Sequence, residues 1–356
     1  MRRSNNLVIK AGPKALEILR RKGFHPSDVS AIAAAAGGPK WFVIYHLTRY
    51  IAEHILPHTD QQIDLLGSSV GAWQMACLST SDPGGALERL RDRYAGELYQ
   101  MPITTDEVSR GCNATLYQTF SDEDISFIID NQKVNLNIFA ARGKGILNSN
   151  SRNRVYTGLL YNFLTNALSR KLVGLSFERH IFSTQMKMPI DQSRSILSTE
   201  MVQLNTQKFR EVLMATAAIP LVMNGVQSIS GYEKKTFWDG GLTDYHMVLP
   251  YHEDGLVLIP HFLPDLAPGW MDKALKYRRG SGKDLSNVIL LHPSENYVAS
   301  LPKGKISTRD DFLDFGEDQE GRATYWTQIS EQGTVLRDEL AEIIESGNMA
   351  EFATPF

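Results

Sequence analysis

Apolar residues in this chain fall into two patterns, short unbroken runs and longer stretches spaced at the helical period. Residues 29–36 (VSAIAAAA) are unbroken, which fits a strand covered on both faces. Gly37, Gly38 and Pro39 end that run. Over 41–56, Phe42, Ile44, Tyr45, Leu47, Ile51 and Ile55 then recur at helical spacing. Pro39 suits the first turn of such a helix, where its missing N–H costs nothing. A second apolar run (Ile63, Leu65, Leu66) leads through a glycine-rich turn to Ala72, Trp73, Met75, Ala76 and Leu78, again helical in spacing. Strand–helix–strand–helix of this length predicts parallel pairing through right-handed crossovers.

Farther along, a helix is predicted over 83–99 with Asp82 as its cap. A short helix is opened by Ser121 with Asp124 three residues on, a capping-box pattern. The rest of 101–135 is expected to be irregular. Residues 134–141 alternate like a strand and turn at Gly143 and Gly145. Val155, Leu159, Leu160, Phe163, Leu164, Ala167, Leu168 and Leu172 form an apolar stripe, read as the core-facing side of a helix rather than as a lid. Further strands are predicted over 180–186, 255–262 and 287–292, and a last helix over 322–344. The acidic stretch 310–320 is expected to be an exposed loop. With no repeat and no low-complexity linker, one domain over 1–356 is expected. Its motif-bearing part spans 28–250, and 251–356 form a C-terminal extension that completes or covers the fold. The fold class expected is a three-layer α/β/α sandwich with a mainly parallel central sheet.

Composition narrows the function classes. Across 356 residues, 42% hydrophobic and 22% charged content is that of a soluble globular protein. A net charge of −3, with no basic stripe interleaved with aromatics, argues against nucleic-acid binding. Two cysteines, Cys77 and Cys112, make no disulfide framework. No His/Cys/carboxylate set has ligand spacing, so neither a metal nor a cofactor is implied. The start of the chain is basic but lacks the continuous apolar core of a secretory signal, and no run reaches membrane-spanning length; a cytoplasmic protein is expected. Lys273, Lys276, Arg278, Arg279 and Lys283 cluster near Trp270. They read as a solvated face, with transient membrane-surface contact as the alternative.

Chemistry concentrates at three turns. GSSVG at 67–71 has the strand–GxSxG–helix order of a nucleophile elbow. Gly67 and Gly71 allow a turn too tight for side chains at those positions, and Ser69 is lifted toward a helix N-terminus whose amides favour negative charge. Ser69 is therefore the candidate nucleophile. The Gly37-Gly38-Pro39-Lys40 loop should open on the same carboxyl edge of the sheet, where its amides could hold an oxyanion. Lys40 is unusual at a helix N-terminus unless an anionic group or developing charge is drawn there. Asp239-Gly240-Gly241, after Thr236-Phe237-Trp238, would place a carboxylate at a strand end, where burial could raise its proton affinity into the range of a general base. Asp-Gly is also a common hairpin turn.

Together, the Ala-rich strand ending in GGPK, the GSSVG turn, VLMATAAIPLVMNGVQSI and FWDGGLTD resemble the patatin-like phospholipase family, in that family's motif order from Val29 to Asp244. The resemblance implies a Ser69–Asp239 dyad acting on phospholipid or other lipid acyl esters. It also implies an oxyanion loop at Gly37 and Gly38, a basic position at Lys40, and a structural segment at Ala217, Ala218 and Pro220. The chain departs from the pattern at Ala36 and Trp41, which would reshape the oxyanion site, and at Asp244 and His246, expected to alter the cleft wall. Two other readings fit these motifs. One is a Ser–His–Asp hydrolase using His246, His252, His261 or His292. The other is a lipid-binding or interaction protein that kept the scaffold without turnover.

Overall fold

The computed structural model describes residues 5–59, 61–99 and 102–356; the basic start (1–4) and Met101 lie outside the described residues. Among the described residues ten strands form one sheet: β1 (Leu7–Ala11), β2 (Val29–Ala34), β3 (Ile63–Ser68), β4 (Val134–Gly143), β5 (Phe177–Ser183), β6 (Thr199–Gln203), β7 (Phe237–Trp238), β8 (Leu256–Pro260), β9 (Val288–Pro293) and β10 (Ala353–Pro355). Their order is β10-β1-β9-β8-β2-β3-β4-β5-β6, with β7 added beside β4. β8, β2, β3 and β4 run parallel in the centre, β2 pairing Ala34 with Gly67 of β3. Antiparallel pairs occur at β1–β9, β4–β5 and β4–β7.

Period-two alternation sends neighbouring side chains of these strands to opposite faces. Ile32, Leu65, Ile138 and Leu258 join the larger core, packed with the helices Val70–Leu78 (α1), Pro83–Ala95 and Phe209–Ala217. Ala33, Leu66, Phe139 and Ile259 face the other way, beneath Met247, Leu249 and Leu266. The result is a three-layer α/β/α architecture with a mostly parallel sheet. Among the described residues, no helix is long and apolar enough to cross a membrane.

Several local expectations change. Residues 101–135 hold the helix Thr105–Thr119 besides Asp122–Asp130, and it is opened by a capping box between Thr104 and Glu107. The helical stretch after Gly37 is broken into a 3₁₀ turn (Gly38–Ile44), an α turn (Tyr45–Tyr50) and a π turn (Ile51–Ile55). The last helix is two, Gln319–Gln332 and Thr334–Glu345, meeting at Gly333. β8, β9 and β10 place the region after residue 251 inside the sheet. The acidic stretch is not all surface loop: the buried Asp311 carboxylate accepts from Trp326 Nε1 at 2.9 Å and from the Thr308 amide at 2.7 Å.

The helix Arg152–Leu168 (α2) reverses the expectation for its apolar stripe. Val155 and Leu159 face inward, but so do Gly158, Asn162 and Asn166, whereas Leu160, Phe163, Leu164 and Leu168 are exposed. The inner face is set by close approach and by hydrogen bonds. A Cβ on Gly158 would fall 2.5 Å from the Leu147 side chain. Asn166 donates to the buried Asp272 carboxylate at 2.9 Å.

Candidate active site

β3 ends at Ser68, and α1 begins at Val70. Between them Ser69 takes φ 54°, ψ −134°, a backbone conformation that costs a residue with a Cβ about 1–3 kcal/mol. The flanking glycines answer to close approach. A Cβ on Gly67 would lie 2.5 Å from Ala72, and one on Gly71 would lie 2.2 Å from the Ala34 carbonyl oxygen. The positive φ thus falls on the serine itself. Its amide donates to Thr216 Oγ1 at 2.8 Å, and Thr216 donates in turn to the Phe139 carbonyl at 2.5 Å, pinning the turn to β4.

Ser69 Oγ donates to Asp239 Oδ2 at 2.7 Å, both side chains buried. Asp239 is fixed from three directions. Its amide donates to the Ala218 carbonyl at 2.9 Å, the Gly240 amide to the Thr216 carbonyl at 3.0 Å, and the Gly241 amide to Asp239 Oδ1 at 2.7 Å. The carbonyls of Thr216 and Ala218 therefore position the box. Burial raises the Asp239 carboxyl to about 6, against the lowering effects of the Ser69 hydroxyl, the Gly241 amide and Arg309.

Gly38 opens its 3₁₀ turn at φ 55°, the left-handed region that favours glycine. Its amide and that of Val70, each at the first position of its own helix, have no carbonyl one turn back within that helix. Ala36, Gly37, Gly38, Ser69, Asp239 and Gly241 line a recess of about 30 Å³. Ser69 and Gly38 also line an adjoining cavity of about 660 Å³, walled by apolar side chains including Trp73, Ile103, Val108, Ile219, Leu221 and Met223.

Lys40 lines neither space. It lies over the Phe262 ring, 5.5 Å from its centroid, and burial, with Lys273 and Arg309 nearby, pushes its ammonium down to about 8. Arg309, which sequence reasoning did not single out, and Trp270, named there only as the neighbour of the basic cluster, line both recess and cavity. Nor do Asp244 and His246 form the cleft wall. Asp244 is paired with buried Arg179 through contacts of 2.6 and 2.7 Å. Trp41 is fully buried against Phe42, away from the recess that Ala36 lines.

No histidine stands between Ser69 and Asp239. His246 accepts from the Ala267 amide at 3.0 Å, and burial holds it far below the usual imidazole range. Burial likewise pushes His261 to about 3 and His292 to about 4, while exposed His252 bonds to the Met188 carbonyl. Among the described residues the sheet does assemble one His/carboxylate group that linear spacing had hidden: Glu178, His180 and Glu200 each offer a ligand atom within 4.8 Å of the others. Arg142 at 2.5 Å from Glu178, and Tyr232 donating to Glu200 at 2.6 Å, engage both carboxylates there.

No family model matches this chain, and no curated protein matches it. Among solved structures it is similar to VipD from Legionella pneumophila, at TM-score 0.37 and 10% identity, over 95% of this chain and 71% of that one.

Proposed function

We propose that this protein is a serine acyl-ester hydrolase acting on phospholipid or other lipid acyl esters through a Ser69–Asp239 dyad. The observation that carries the reading is the 2.7 Å hydrogen bond from Ser69 Oγ to Asp239 Oδ2 at the junction of a small recess and a large apolar cavity. Above about pH 6 the carboxylate is ionised and accepts the serine proton as Oγ attacks the acyl carbon. The tetrahedral oxyanion sits beside Ser69 where recess and cavity meet, Gly38 lining both and Val70 the cavity, and the Gly38 and Val70 amides, with the Gly37 loop, donate to it; each donor of this kind lowers a barrier by about 3–4 kcal/mol. The alcohol leaves with the proton held by Asp239. Water then attacks the acyl-enzyme, giving its proton to the same carboxylate, which passes it to Ser69 Oγ as the acid product departs. The apolar cavity offers room for an acyl chain, and Arg309 at its wall attracts an anionic portion of the substrate.

The reading is tested by fluorophosphonate labelling together with a panel of phospholipids, neutral glycerides and short soluble esters. Wild type should label and turn over at least one lipid ester, and Ser69→Ala should do neither. A wild-type protein that resists the probe would support the binding-protein reading instead.

A further inference from the structure

We propose that the outward face of α2 is a docking surface for an anionic lipid bilayer, set so that the cavity holding Ser69 opens at the membrane; the link to catalysis rests on the function proposed above. Along this 17-residue helix, about 25 Å long, Tyr156, Leu160, Tyr161, Phe163, Leu164 and Leu168 are all exposed. Tyr156 keeps 62% of its surface, Leu164 57% and Leu168 81%, and Leu175 continues the patch at 55%. Large side chains at i, i+4, i+7 and i+8 lie on one side of a helix, so these groups form a continuous stripe. Scattered apolar residues are normal on a surface, but a contiguous stripe of this size marks an interaction site.

Charge identifies the partner. Between Asp130 and Glu178 the chain has no acidic residue and seven basic ones, although its net charge is −3. Arg142 and Arg170 are engaged with Glu178 and Asp272. Arg152, Arg154 and Lys171 make no ion pair among the described residues, and they lie at the two ends of the stripe. An apolar stripe bounded by unpaired cations, with no nearby sequence anion, complements a surface that is apolar within and negative at its headgroups.

Continuity with the cavity sets the geometry. Arg152, the first residue of α2, lines the cavity together with Leu221 and Val222. At the other end, Asn166 and Arg170 hold Asp272, and Arg278 donates to the Asn166 carbonyl at 2.7 Å. That locks α2 to the segment carrying Trp270, which lines both cavity and recess. The helix is therefore built into the cavity wall, and its inner face of Gly158, Asn162 and Asn166 leaves the larger apolar groups pointing away from the fold.

The test is co-sedimentation of the full chain with vesicles of mixed phosphatidylcholine and phosphatidylglycerol and with vesicles of phosphatidylcholine alone. The mixed vesicles should bind more protein, in a salt-sensitive way. Leu160→Gln/Leu164→Gln/Leu168→Gln should lower the partition coefficient about tenfold or more. Arg154→Gln/Lys171→Gln should remove the preference for the anionic vesicles. Both variants alter exposed groups and should hydrolyse a short soluble ester at the wild-type rate. Vesicle binding equal to wild type in the triple variant, or no binding by wild type, overturns the proposal. So does sedimentation equilibrium showing a wild-type dimer that the triple variant breaks with vesicle binding unchanged, since the stripe would then join two copies. If no ester is hydrolysed but binding follows the expected order, the docking surface stands and the hydrolase reading falls.

Discussion

Ser69 Oγ and Asp239 Oδ2 lie 2.7 Å apart although 170 positions separate them in the chain. Asp239 is buried, and its carboxyl is raised from 3.8 to about 6, chiefly by desolvation. The folded state therefore holds this proton more tightly than the unfolded state does. Stability contributed by the protonated form is present at low pH and is lost as pH rises toward and through about 6; the charged carboxylate then costs the fold on the order of 2–3 kcal/mol. Asp239→Asn keeps an acceptor for the Gly241 amide and carries no charge. It should melt higher than wild type at pH 7.5, with the difference shrinking as pH falls from 6 to 4, while esterase activity drops by about a thousandfold or more. Thermal melts across pH, alongside ester turnover, measure both. The wild-type rate should itself show an acid limb near pH 6. That limb is close to where a histidine base would place one, and Asp239→Asn would also disable a Ser–His–Asp triad, so retained turnover on substituting His246, His252, His261 and His292 one at a time is what separates the two mechanisms.

The backbone at Ser69 makes a second contrast. Ser69→Ala removes the proposed nucleophile and should abolish ester turnover, yet it keeps a Cβ at φ 54°. Ser69→Gly removes the nucleophile and relieves the strain. Glycine ordinarily destabilises regular structure by roughly 0.5–1 kcal/mol relative to alanine. Here the order should reverse, with Ser69→Gly the more stable by about 1 kcal/mol in urea unfolding. Equal midpoints would mean that the turn relaxes without cost.

Arg309 provides a test of the site's electrostatics. Its charge is among the influences that lower Asp239 and Lys40. Without it the Asp239 carboxyl should rise further, so the acid limb of ester turnover should move to higher pH in Arg309→Gln. Arg309→Lys should restore most of the wild-type position. Binding of the acyl ester should weaken most for substrates that carry a negative headgroup, read as a rise in KM for those substrates alone.

The legible parts of this chain are those whose cause is local. Gly67 and Ser69 announce their turn because the steric demand on them lies within five residues, although Gly71 answers to the Ala34 carbonyl of the neighbouring strand, and the runs that became β2, β3, β8 and β9 are buried on both faces. β6 lies at the sheet edge with Thr199, Glu200 and Met201 only partly buried, so no apolar run marks it. The helix Thr105–Thr119 buries only Cys112, Thr115, Leu116 and Thr119, too sparse a stripe to show, although Thr104 and Glu107 carried its capping signal. Periodicity in α2 revealed an amphipathic helix but not which side turns inward. That was decided by Gly158 against Leu147 and by Asn166 against Asp272, both contacts with distant or separate segments. Arg309 reaches the site from an irregular stretch far along the chain, and nothing in its neighbours' spacing connects it to Gly38.

The carboxylate five residues after Asp239 has a structural task. Asp244 receives Arg179 Nε at 2.7 Å and Nη2 at 2.6 Å, with both side chains buried. Arg179 also donates to Ser195 Oγ at 2.8 Å and Thr199 Oγ1 at 3.2 Å, and Ser68 Oγ donates to the Asp244 carbonyl at 2.8 Å. The pair thus ties the short helix Gly241–Asp244 to β5 and to Ser68, the residue before Ser69. Asp244→Ala leaves a buried guanidinium without its counter-charge, a change that costs about 3–5 kcal/mol. Asp244→Leu/Arg179→Met removes both charges and should cost far less, because desolvation of each ion is lost along with their attraction. Urea unfolding gives both stabilities, and fluorophosphonate labelling rate reports on the dyad. If the double variant recovers stability but labels slowly, the ion pair orients Asp239 through the Gly240–Gly241 turn. If it recovers both, apolar packing holds the turn equally well, and the charges serve only each other.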